Sequence, residues 1–119
     1  MDDTREKILA TALSLFAAEG YNGVGVQRIC ALAGITKPTL YYHFGSKRGL
    51  LDTILSEHFA DFLGALERRG TYRGDVAAGL EGSLSVFLEF ARNREDWMRL
   101  RLALSFSPPS SEEHAAMLP

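Results

Sequence analysis

The chain has 119 residues, with 13 lysines and arginines against 15 aspartates and glutamates and a formal net charge of −2. That length allows one compact body or a small domain with part of another, and an apolar fraction of 46% is ordinary for a globular protein. No apolar run approaches the ~20 residues of a membrane span; the charged opening at 1–7 does not suit a secretory signal, and the lone Cys30 excludes an internal disulfide or a thiolate zinc cluster, in keeping with a reducing cytoplasm.

The first predicted helix opens with Asp3 and Glu6 at the spacing of a capping box. Ile8, Leu9, Ala12, Leu13 and Phe16 form its apolar stripe, and Gly20 ends it. This helix is scaffold, and Tyr21 and Val24 are expected to tuck under the loop that follows it. A short second helix runs from Val26 to Ala33. Val26, Ile29, Cys30 and Ala33 recur on one face, and the small Cys30 and Ala33 let another helix cross closely. Gly34 supplies the positive φ of a tight turn, and Ile35 plugs the gap below it.

Residues 35–48 then concentrate the side chains that grip a nucleic-acid duplex. Thr36 caps a third helix, and Pro38 is tolerated in its first turn, where a missing N–H costs nothing. Lys37, Thr39, Tyr41, Tyr42 and His43 present donors, while Leu40 and Phe44, four apart, form the buried side. Gly45 permits a left-handed stop, and Ser46 caps the next helix with Lys47 and Arg48 behind it. A helix, a glycine turn and a polar second helix make a helix-turn-helix, whose second helix lies in the major groove. An ordinary αα-hairpin shares the glycine turn; the polar, aromatic and basic run at 37–47 favours DNA.

Charge distribution agrees. Residues 1–50 carry Arg5, Lys7, Arg28, Lys37, Lys47 and Arg48 against Asp2, Asp3, Glu6 and Glu19, so the positive excess lies around the recognition helix. The weak overall charge implies few phosphate contacts per subunit, and hence reliance on pairing two subunits. Lys37 points an ammonium at the groove floor, where guanine O6 and N7 accept, and Thr39 offers a methyl and a hydroxyl. Tyr41, Tyr42, His43 and Lys47 read as phosphate clamps on the flank. One of Tyr41 and Tyr42 is expected to be partly covered, because a helix cannot expose both fully.

From Ser46 a longer fourth helix runs toward Arg69, with Leu50, Leu51, Ile54, Leu55, Phe59, Phe62, Leu63 and Leu66 along one broad side. It exceeds what a three-helix bundle needs, so its far half must pack on something else. After a break at 70–74, helices are predicted over 75–93 and 95–106. In the first, Leu80, Leu84, Phe87, Leu88 and Ala91 share a face while Val86 and Phe90 take another, the pattern of a helix buried between neighbours. Phe62, Phe87, Phe90, Trp97 and Met98 are the candidates to border an apolar effector cavity, with Arg99 or Arg101 as its polar anchor; for such aromatics a solid core is the commoner outcome. The stretch 107–113 stops that helix and caps another.

Enzyme chemistry has no foothold. His43, His58 and His114 lack the spacing of a metal-binding helix, and neither a phosphate loop nor a nucleophile elbow occurs. No catalytic residue, metal or cofactor is expected.

The stretch Gly20-Tyr21, Ile29, Ala33-Gly34-Ile35-Thr36-Lys37-Pro38-Thr39-Leu40-Tyr41-Tyr42-His43-Phe44, Ser46-Lys47 and Leu50-Leu51 resembles the tetracycline-repressor (TetR) family of bacterial transcriptional regulators. The likeness covers roughly residues 4–55, and the Leu-Tyr-Tyr-His-Phe core is its most specific part. It implies that Gln27 lies where the family places a base-contacting residue, with an amide able to pair with adenine. Gly25 stands where the family usually has a capping Ser or Thr, and Gly49 where a Glu commonly completes a capping box. Family members usually continue for several more helices that form the dimer interface, so the ending at Met117-Leu118-Pro119 has the look of a fragment.

The expectation is an all-α protein: a helix-turn-helix DNA-binding domain at 1–46, then a connecting helix and an incomplete regulatory domain at 47–119. By the resemblance it is a one-component transcriptional regulator, most often a repressor. It binds palindromic operator DNA as a homodimer and is released by a small-molecule effector that swings the fourth helix. The alternative is a helix-turn-helix adaptor for protein interaction, without direct ligand control.

Overall fold

The computed structural model describes residues 3–69 and 74–117; most of the expected break at 70–74 lies outside them, as do Leu118 and Pro119. The described residues form helices and connecting turns, with no strand. The helices are α1 (Thr4–Glu19), α2 (Val26–Ala33), α3 (Lys37–Phe44), α4 (Lys47–Arg69), α5 (Val76–Asn93), α6 (Glu95–Ser105) and α7 (Glu112–Ala115).

Local sequence explains most of the helix ends. Gly34 takes the left-handed conformation, φ 71° and ψ 37°, and returns its N–H to the Cys30 carbonyl. That closes α2 in the least space and aims the chain into α3. Thr36 caps α3 through its hydroxyl, which accepts from the Thr39 N–H. Asp75 and Ser111 cap α5 and α7 in the same way, accepting from Ala78 and His114. At α1 the expected capping box does not form. Asp3 makes no side-chain cap bond, and Glu6 pairs instead with Arg5, which also reaches Glu57 of α4.

The core departs from a separate three-helix bundle. Ile8, Ala12 and Phe16 of α1, Ile29 of α2, Leu40 of α3 and Leu50, Leu51 and Ile54 of α4 are buried in one cluster that also contains Leu100 and Leu104 of α6. α6 lies against α1; Leu15, which the expected stripe omitted, is buried, while Leu13 is partly buried against the same cluster. The inward side of α1 is one broad stripe of Ile8, Leu9, Ala12, Leu15 and Phe16.

Beyond this core the molecule thins. Its radius of gyration is 16.2 Å and its extents are 53 × 39 × 22 Å, against ~13.5 Å for a compact chain of this length. The outer half of α4 packs on α5 through an aromatic group: Phe62 lies 5.2 Å from Phe90 and 5.9 Å from Trp97 between ring centroids. The expectation that α5 is covered on two sides fails. Val86 and Phe90 face inward, while Leu80, Leu84, Phe87 and Leu88 are exposed, because α4 and α6 occupy only one flank of the helix.

Candidate nucleic-acid interface

Leu40, wholly buried, pins α3 to the core, and Phe44 packs partly against it at the far end. A helix so anchored must turn its other residues outward. Lys37, Pro38 and Thr36 are exposed at its start. Thr39 is partly covered, its hydroxyl 3.0 Å from that of Thr36. Tyr42 stands almost free at 85% exposure, while Tyr41 is 44% exposed. Tyr41 is thus the partly covered member of the pair. His43 sits edge-on to the Tyr42 ring at 5.2 Å and is half-buried. On α2, Gln27 is exposed, and so is Leu32 at the other end of that helix, an apolar side chain the sequence pattern did not single out. The result is a ridge of hydroxyls, an amide, an ammonium and aromatic edges carried on a rigid helix pair. Phosphate and base edges call for those groups.

Charge on the ridge is thinner than the sequence implies. Arg28 pairs with Glu19, Arg48 with Asp52 and Arg5 with Glu6 and Glu57. Lys47 departs from the expected solvent-directed clamp. Its Nζ donates to the Tyr21 carbonyl at 2.6 Å and lies 4.1 Å from the Tyr21 ring centroid. Burial pushes its ammonium below the ordinary lysine value, and the Glu112 and Glu113 carboxylates pull the other way. The physical reason for the inward turn is that the carbonyl and the ring face replace the water it leaves. Lys37 is the one recognition-helix cation without an ion pair among the described residues.

The effector candidates do not all line one cavity. Phe62, Phe90 and Trp97 touch one another, in keeping with a packed aromatic core. Phe87 faces solvent, because Val86 takes the inward position of that turn. Arg99 extends outward into an i, i+4 pair with Glu95 at 2.6 Å. Arg101 lies over Phe59 at 4.8 Å and Trp97 at 5.9 Å, with its stem along apolar surface. Met98 is half-buried. Trp97 borders one cleft of about 420 Å³ with His58 and Arg94, and Phe90 another of about 470 Å³ with Arg68 and Arg69. Arg94, at the α5–α6 joint, borders both, and ion-pairs with Asp61 at 2.8 Å. Neither Arg94 nor its clefts followed from the apolar pattern, since polar clefts leave no periodicity in a sequence.

Residues 8–54 match the family model described as bacterial regulatory proteins, tetR family. Two solved structures share the fold along nearly the whole chain. A TetR-family transcription regulator from Shewanella sp. PV-4 gives a TM-score of 0.79 at 28% identity, covering 96% of this chain and 62% of its own. A TetR-like transcriptional regulator from Rhodococcus sp. RHA1 gives 0.77 at 27% identity, covering 98% and 61%. The chain belongs to the TetR family.

Among its TetR relatives, the HTH-type transcriptional activator FasR of Mycolicibacterium smegmatis is 28% identical over 99 residues, or 83% of this chain. The HTH-type transcriptional repressor KstR2 of Rhodococcus jostii is 38% identical over 82 residues, or 69% of this chain. The chain spans only 45% and 37% of those two proteins' lengths. These relatives are transcription regulators, not enzymes. Both departures from the TetR pattern are visible. Gly25 leads α2 with no side-chain cap, whereas Ser46 still accepts from the Gly49 N–H at 2.9 Å, so half of a capping box survives without the glutamate. No described helix is long and apolar enough to cross a membrane.

Proposed function

We propose that this chain is the DNA-reading and connecting part of a one-component transcriptional regulator, acting as a repressor on palindromic operator DNA. The observation that carries the reading is the division of α3, with Leu40 wholly buried and Tyr42 85% exposed beside an unpaired Lys37. Lys37 and Gln27 read base edges; Thr36, Pro38, Thr39, Tyr41, Tyr42 and His43 fix the register against the backbone. With so little free charge on one unit, tight binding takes two units on half-sites one helical turn apart.

The way the helices connect supports release by a small molecule. α6 packs on α1 and α4, and Arg94 joins α5–α6 to Asp61 of α4. A ligand displacing α6 or opening the Arg94 pair would reorient α1 and α4 together, and with them α3.

The test is selection of bound sequences from a random duplex pool, followed by titration of the selected duplex at several salt concentrations. A recovered palindrome, two chains per duplex and an affinity falling steeply with salt support the reading. A folded chain with no salt-dependent affinity for any duplex would leave the protein-interaction adaptor as the better description.

A further inference from the structure

The last described helix reaches back across the molecule to the DNA-reading unit. Tyr21 Oη donates to Glu112 Oε1 at 2.7 Å, and Asn22 Nδ2 donates to Glu113 Oε1 at 2.8 Å. These bonds join residues 91 positions apart in sequence. Glu113 is only 8% exposed, an unusual position for a carboxylate. Lys47 Nζ donates to the carbonyl of the same Tyr21. The loop between α1 and α2 is thus held by two glutamates of α7 and by a lysine at the start of α4.

We propose that α7 is an acidic latch that withholds Lys47 from DNA: Glu112 and Glu113 fix the α1–α2 loop and supply the negative charge that keeps the Lys47 ammonium turned inward. The proposal rests on the DNA-binding reading above. Its force comes from scarcity. Arg5, Arg28 and Arg48 are each paired with a carboxylate and Lys37 is taken up by base edges, so few cations remain for phosphate, and freeing Lys47 would add one beside the recognition helix. Without the glutamates, the ammonium would sit part-buried with a single carbonyl and two aromatic faces for company. That environment no longer offsets its lost hydration, and the long stem lets it swing to solvent. The latch is mechanically tied to the rest of the chain, because α7 also packs on α4 and α6. A shift of α6 pulls α7 and releases a cation at the DNA-facing end.

Two readouts on the full chain decide it. The first needs no DNA: trace acylation with acetic anhydride, scored by mass spectrometry, with the exposed Lys7 and Lys37 as internal references. Lys47 is expected to react several-fold more slowly than Lys37, and to gain several-fold in Glu112→Gln/Glu113→Gln. Tyr21→Phe, which removes one latch bond and keeps the ring, is expected to give a smaller gain and decides the matter if the double variant does not fold. The second readout is the salt dependence of duplex binding. The double variant should bind more tightly with a slope steeper by about one per subunit, and the slope change should vanish in a Lys47→Met background. Unchanged Lys47 reactivity in both variants overturns the latch. So does a reactivity gain without any Lys47-dependent change in slope. If the parent chain binds no duplex at any salt, the DNA reading fails while the acylation result still decides whether α7 covers Lys47.

Discussion

Trp97 stacks on His58, the ring centroids 5.8 Å apart and the planes 23° from parallel, so that α6 is fastened to the middle of α4 by an imidazole. Arg94 Nη1 approaches the same imidazole at Nδ1, 3.3 Å away, and Asp61 and Glu57 lie nearby on α4. Burial first, then the Arg94 charge, holds the imidazole below its ordinary value of 6.5, with Asp61 and Glu57 opposing.

A stability change with acid follows. The unfolded chain takes up the His58 proton at a higher pH than the folded chain does, so the unfolded state binds more protons in that interval. The stabilisation is complete above the ordinary imidazole value and is lost as pH falls through it toward the lower folded value. Denaturant midpoints should therefore drop between neutral and mildly acidic pH, and His58→Gln should flatten that drop. Parallel pH profiles for the two proteins would show that the imidazole contributes nothing.

Base reading should separate from backbone holding. Lys37→Ala and Gln27→Ala should each weaken binding to the selected operator by ~1–3 kcal/mol and relax preference at one position. Equal losses on operator and random duplex would reassign both side chains to phosphates.

Tyr42→Phe should weaken all duplexes alike, by ~0.5–1.5 kcal/mol for one hydroxyl contact, and leave the thermal midpoint unchanged because the ring is exposed. Gel-shift titrations on operator and scrambled duplex make the comparison. A selective loss on operator alone would place that hydroxyl on a base.

Packing makes a sharper contrast. Leu100→Ala, within the shared core, should cost ~2–5 kcal/mol, whereas Leu84→Ala and Phe87→Ala on the open face of α5 should stay within ~0.5 kcal/mol. Urea melts of the three variants test it, and a large loss at Phe87 would mean that this face is covered in solution.

Local chemistry in the sequence carried much of the fold. The cap at Thr36, the turn at Gly34 and the anchor at Leu40 all depend on neighbours a few residues away, and the structure shows each of them. What escaped depends on partners far along the chain. Leu13 and Leu15 are equally apolar and lie at opposite edges of one stripe, so composition alone does not say that Leu15 is buried and Leu13 only partly. The two apolar faces of α5 are alike in composition, so periodicity alone cannot say which one has neighbours. Lys47 follows the same logic: its expected clamp role came from local sequence, whereas its actual bonds go to Tyr21. Tyr21 in turn is held by Glu112, and a hydrogen bond between such distant residues leaves no spacing to read.

The placement of Leu100 and Leu104 in the same apolar cluster as Ile8, Phe16 and Leu40 bears on how such chains can be recombined. A reading head grafted from one regulator onto the sensing helices of another would meet a wall cut for different side chains. Successful exchange would have to carry the inward residues of α6 along with α1–α3, so the set of residues to be moved together is discontinuous in sequence. Divergence should follow that seam, with changes in the first helix matched by changes some ninety residues later.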